Sequence, residues 1–172
     1  MNTSEDRQEP IDDVSLREFL DQEGRVKCQR KLRIGIYRRG IDCSLRKVIW
    51  KHLLNVYPEG YTGQERIDFV RVRCETYRQM RELWQRNVTT DSEVINLANM
   101  IRKDVRRTDR HHPFYANTDD SEEDNNPNVT SLYNILMTYA LNHQHRYCQG
   151  MSDLASPILY VMKGNWCLHI II

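Results

Sequence analysis

The spacing of apolar residues along this chain is helical almost throughout. Leu16, Phe19 and Leu20 make a short apolar face, with Asp12 or Asp13 as its cap and Gly24 as its stop. Leu45, Val48, Ile49, Leu53 and Val56 line one side of a second helix, opened by Asp42 or Ser44 and ended near Asn55 and Pro58. Ile67, Val70, Cys74, Tyr77 and Trp84 recur at three- and four-residue steps and predict a long helix over about 64–86. Asp91 or Ser92 caps the next, whose stripe is Val94, Leu97, Ala98, Ile101 and Val105. The cleanest stripe is Leu132, Ile135, Leu136, Tyr139, Ala140 and His143, with Asn128 as cap. A last helix carries Leu154, Ile158, Val161 and Met162, with Pro157 in its first turn or kinking it.

The intervening segments are polar. Residues up to about Ile11 read as a flexible tail, the stretch before Gly40 as a basic connector, and 117–127 as an exposed acidic loop. Only Arg33-Ile34-Gly35-Ile36-Tyr37 alternates in the manner of a strand, and it is short. The predicted fold is all-α, built from stacked helices of medium length.

Composition narrows the function. The 172 residues carry a formal net charge of +1, so no strong overall field draws the chain to DNA or to an anionic membrane. The basic stretch over 25–51 lacks the aromatic interleaving and the groove-reading motif of a nucleic-acid binder. The longest apolar candidate, 157–172, is interrupted by Lys163, Gly164 and Asn165, so no transmembrane segment is expected. The five cysteines form no C-x-x-C pair and the N-terminus is polar and acidic, which together suggest a reducing, cytoplasmic setting.

Most chemistry is missing. The seven glycines are scattered and build no phosphate-cradling loop. His111-His112 lacks spaced partners for a metal, and Cys148 lacks an activating neighbour. No turnover, cofactor or metal of the chain's own is expected.

Two segments are unusual for a plain helical stack. In Ile101-Arg102-Lys103-Asp104-Val105-Arg106-Arg107, Asp104 and Arg107 are three apart and share a helix face, so a carboxylate can aim a guanidinium. By spacing alone this is more often a solubilising surface pair. In Tyr147-Cys148-Gln149-Gly150-Met151-Ser152-Asp153, Gly150 permits a turn that holds the Gln149 amide outward, where it can orient a water. By itself this segment is more often a helix-entry loop capped by Ser152.

Together these motifs resemble the fingerprints of the TBC-domain Rab GTPase-activating proteins. Gly40-Ile41 to Leu45-Arg46, with Trp50 and Leu53-Leu54, is similar to the first. Ile101, Asp104 and Arg107 match I-x-x-D-x-x-R, and Tyr147, Gln149 and Gly150 match Y-x-Q-G. The stretch over 147–159 is especially like members linked to endosomal and autophagic traffic. The resemblance implies that Arg107 is an arginine finger and Gln149 a glutamine finger, inserted into the nucleotide site of a Rab-family small GTPase. GTP and Mg²⁺ would be carried by that partner. It implies that Asp104 holds Arg107, that Tyr147 and Gly150 support the glutamine loop, and that Arg46 and Trp50 buttress the scaffold. It leaves room for peripheral recruitment to endosomal or autophagic membranes.

The family likeness extends over 13–162, following a polar tail at 1–12, and ends before 163–172. Family domains continue further, so a truncated domain with impaired activity is expected. A Rab-binding module without activating power is the alternative.

Overall fold

The computed structural model describes residues 9–86, 91–116 and 126–162. Among them are seven α-helices and no strand, in keeping with the all-α reading. They form two compact units, divided between Arg71 and Val72.

The first unit contains α1 (Asp13–Arg17), α2 (Gln29–Arg39), a 3-10 turn (Cys43–Leu45), α3 (Arg46–Leu53) and the start of α4 (Gly63–Arg86). Asp12 caps α1 in a reciprocal box with Ser15, satisfying donors that a helix start leaves open. The core is Ile11, Leu16, Leu32, Leu45 and Ile49, flanked by Phe19, Leu20, Ile36 and Leu53.

Several expectations are corrected here. The polar tail ends before Ile11, which is fully buried and exchanges backbone hydrogen bonds with Gly40 and Asp42. Residues 1–8 lie outside the described residues. The basic connector and its strand-like pentad are helix α2. Leu32 is buried and Ile36 packs on the same core. Gly35 lets Phe19 lie against the helix, because a Cβ there would stand 2.9 Å from Phe19 Cζ. The alternation therefore came from a small residue at a contact, not from a pleat. Helix α1 stops at Arg17, short of Gly24. Gly24, with φ +78°, instead closes a turn whose donors Glu23 and Arg25 bond the Asp21 carboxylate. Val48 and Ile67 are exposed rather than in their stripes.

The second unit holds α4 from Val72 onward, α5 (Ser92–Arg107), α6 (Pro127–Asn142) and α7 (Met151–Met162). Helix α6 is buried on more than one face, through Leu132, Ile135, Leu136, Met137, Thr138 and Ala140. It packs against both α5 and α7. Thr138 is admitted to this interior because its hydroxyl accepts from Trp84 Nε1 at 2.8 Å and donates to the Asn134 carbonyl. Asn126, not Asn128, caps α6, with Pro127 in its first position. The expected acidic loop falls largely on 117–125, outside the described residues.

Helix α7 differs most from its expected stripe. Leu154 is 73% exposed, while Ser152, Ala155, Ser156, Leu159 and Met162 face inward. Two serines can be buried because partners on the α5 side receive them, so counting apolar residues selects the wrong face. Pro157 lies inside the helix rather than in its first turn. No described helix is long and apolar enough to cross a membrane.

Candidate functional site

The C-terminal turn of α5 carries both members of the Asp-Arg pair. Leu97, Ile101 and Val105 sink one face of the helix into the second unit's core. That register carries Asp104 inward as well, leaving it 4% exposed. A buried carboxylate is costly unless it is paired and hydrogen-bonded. Asp104 meets the requirement with both oxygens. Its Oδ1 accepts from Arg107 Nη2 at 2.5 Å, and its Oδ2 accepts from the Tyr147 hydroxyl at 2.8 Å.

The two ends of this ion pair differ in their surroundings. The Asp104 side chain is 6% exposed and that of Arg107 59%. The anchor is thus inside and the guanidinium outside. One N–H donor of Arg107 reaches Asp104, and among the described residues the rest of its fork is unclaimed. An open cleft of about 750 Å³ lies beside it, lined by Arg107, Asp109, Arg110, His111, His112 and Ala116.

The glutamine loop is fastened at both sides. Before it, Tyr147 is buried with its hydroxyl on Asp104. Burial, reinforced by that hydrogen bond and by the nearby negative charge, pushes the Tyr147 hydroxyl well above the usual phenol range. It therefore remains a proton donor at any physiological pH. After the loop, the first turn of α7 meets the end of α5. Thr108 Oγ1 lies 2.8 Å from Ser152 Oγ and 3.2 Å from an Asp153 carboxylate oxygen. Gly150 turns the chain at φ +93°, a value side-chain-bearing residues rarely adopt. Between these ties Gln149 is exposed, and its amide has no hydrogen-bond partner among the described residues.

A second set of ties continues along α7. Ser156 Oγ donates to Asp109 at 2.5 Å, and the Tyr115 hydroxyl donates to the Ser156 carbonyl at 2.8 Å. His112 and Phe114 stand edge-on to the Tyr160 ring. The segment that follows Arg107 is thereby held against α7.

The structure thus brings Asp104, Arg107, Tyr147, Gln149 and Gly150 into one neighbourhood of the second unit. Arg46 is exposed and Trp50 half-buried on α3 of the first unit. Sequence reasoning missed Thr108, Ser152 and Asp153 as parts of this network. Hydroxyl residues carry no periodic signal; only their position directly after Arg107 and Gly150-Met151 marked them.

Comparison with known proteins adds a second line. A model of the Rab-GTPase-TBC domain matches residues 43–172. TBC1 domain family member 25 of Mus musculus is 44% identical over 154 residues, covering 89% of this chain and 20% of that protein. TBC1 domain family member 17 of Homo sapiens is 33% identical over 172 residues, covering 94% and 26%. GTPase-activating protein gyp7 of Schizosaccharomyces pombe is 31% identical over 171 residues, covering 92% and 23%. The chain spans about a fifth to a quarter of the length of these relatives.

Proposed function

The chain belongs to the Rab-GTPase-TBC domain family, and on that premise we propose that it activates GTP hydrolysis by a Rab-family GTPase, inserting Arg107 and Gln149 into the partner's nucleotide site. The observation that carries the reading is the asymmetry of the α5 pair: a buried, doubly bonded carboxylate presents an exposed guanidinium beside a fastened loop whose glutamine amide is uncommitted.

The chemistry follows from where charge develops. GTP hydrolysis spreads negative charge over the transferred phosphoryl and the bridging oxygen. An arginine supplied in trans offsets that charge and is worth about 10³–10⁵ in rate. Its planar fork matches phosphate oxygens, a geometry that the compact ammonium of lysine does not reproduce. Asp104 sets the direction of Arg107 before the partner arrives, which limits the ordering cost on contact. The Gln149 amide both donates and accepts, so it orients the attacking water against the phosphoryl group. GTP and Mg²⁺ come with the partner, and this chain performs no turnover of its own. Likeness over 147–159 to members linked to endosomal and autophagic traffic favours a Rab on those membranes.

The test is single-turnover phosphate release from a panel of GTP-loaded Rab proteins. At least one should hydrolyse faster with the chain, and Gln149→Ala should lose most of that gain without loss of fold. Binding without acceleration would favour a docking module. Neither binding nor acceleration across the panel would overturn the proposal.

A further inference from the structure

Thr108 and Ser152 are 4% and 2% exposed, so neither hydroxyl is available to a partner protein. Two alkyl groups would fill the same space without the cost of desolvating a polar group. Their retention asks what the hydroxyls connect.

Thr108 Oγ1 lies 2.9 Å from the carbonyl of Asp104, one helical turn back, and 2.8 Å from Ser152 Oγ. Asp153, on the same turn of α7, places a carboxylate oxygen 3.2 Å from the Thr108 hydroxyl. Tyr147 donates to Asp104 Oδ2, and Asp104 Oδ1 receives Arg107. Thr108 donates to the Asp104 carbonyl, which can only accept, and its oxygen also meets the Ser152 hydroxyl. Leaving such a buried hydroxyl contact unmade is costly, so the pair fixes the spacing of the two segments. The tie runs from the residue after Arg107 to the first turn of α7, three residues after Gln149. It therefore joins the two elements that bear the fingers.

We infer that Thr108 and Ser152 are positioning residues, which set Arg107 relative to Gln149 by tying the last turn of α5 to the first turn of α7. This rests on the finger roles proposed above. Neither residue touches the GTPase or its nucleotide. Their effect is on the orientation of groups that do, and a small misplacement of such groups costs about 100-fold in rate.

The test uses Thr108→Val, which keeps the shape and removes the hydroxyl, with Thr108→Ser, Ser152→Ala and the Thr108→Val/Ser152→Ala double variant. With a responsive Rab, Thr108→Val and Ser152→Ala should each lower kcat by about 10- to 100-fold and leave KM for the GTPase within about twofold. Thr108→Ser should recover most of the loss. The double variant should be no worse than the poorer single one, because both break one tie. A rise in KM alone, additive losses, or an equal loss in Thr108→Ser would overturn the inference.

Arg107→Ala in the same assay separates the two layers. Full activity there would remove the finger role and the positioning role with it. An inactive Arg107→Ala beside a fully active Thr108→Val would remove only the positioning role. If Thr108→Val fails to fold, Ser152→Ala breaks the same tie and decides it by the same measurements.

Discussion

Replacing Asp104 by asparagine separates what the buried carboxylate does for the fold from what it does for Arg107. Asparagine keeps the shape but has one acceptor oxygen where the carboxylate has two. That oxygen must serve either the Tyr147 hydroxyl or Arg107. Tyr147 is buried, and an unsatisfied hydroxyl there is the more expensive failure, so the oxygen stays with Tyr147. The amide NH₂ then faces the guanidinium, donor against donor. Arg107 is 59% exposed and swings into water. Its lost bond would be worth about 1.5–3 kcal/mol as a charge-assisted contact, but resolvation at the surface reduces the net loss to about 1 kcal/mol. Activation suffers more. An unaimed guanidinium must be ordered at each encounter, and the expected fall in kcat is about 10- to 100-fold, or about 1.4–2.7 kcal/mol of barrier. Urea denaturation measures the first quantity and single-turnover phosphate release the second. A kcat within twofold of the parent would refute the argument. So would a stability loss above about 3 kcal/mol with the folded fraction still fully active, since the carboxylate would then serve the fold alone.

Arg107→Lys keeps the charge and loses the fork, so activation should fall by at least about 100-fold, with an unchanged circular dichroism spectrum because the side chain is largely exposed. Gly35→Ala should destabilise the first unit despite the better helix propensity of alanine. Its Cβ would meet Phe19 at 2.9 Å, and overpacking of about 1–3 kcal/mol outweighs a propensity gain of about 1 kcal/mol; an increase in the urea midpoint would contradict this. His52 is 7% exposed, its Nδ1 has no hydrogen-bond partner among the described residues, and burial followed by the nearby Arg66 and Lys51 charges pulls its pKa down to about 4. A depressed folded pKa stabilises the neutral form, so this contribution is complete above about pH 6.5 and is lost as pH falls toward 4. The difference in stability between the parent chain and His52→Phe should therefore shift by up to about 3 kcal/mol across that window; a constant difference would remove the buried imidazole as its source.

Much of this molecule was readable from residue order. Helix α5 followed from its stripe, because Leu97, Ile101 and Val105 recur with the helical period and nothing interrupts them. The Asp104–Arg107 pair followed from its three-residue spacing, which is a local property of any helix. Helix α2 was not legible and read as a connector, since its core contact runs through Gly35, a residue that contributes no apolar signal.

What residue order alone determined was local: most of the helical segments, their caps to within neighbouring residues such as Asp12 or Asp13 and Asp91 or Ser92, and that Asp104 and Arg107 share a face. Tertiary structure decided which end of that pair is buried, because burial depends on Tyr147, 43 positions away along the chain. It also decided which face of α7 turns inward, since Ser152 and Ser156 can leave water only where Thr108, Tyr115 and Asp109 arrive to receive them. Periodicity records how apolar a residue is. It does not record which distant hydrogen-bond partner will make a polar one fit to be buried.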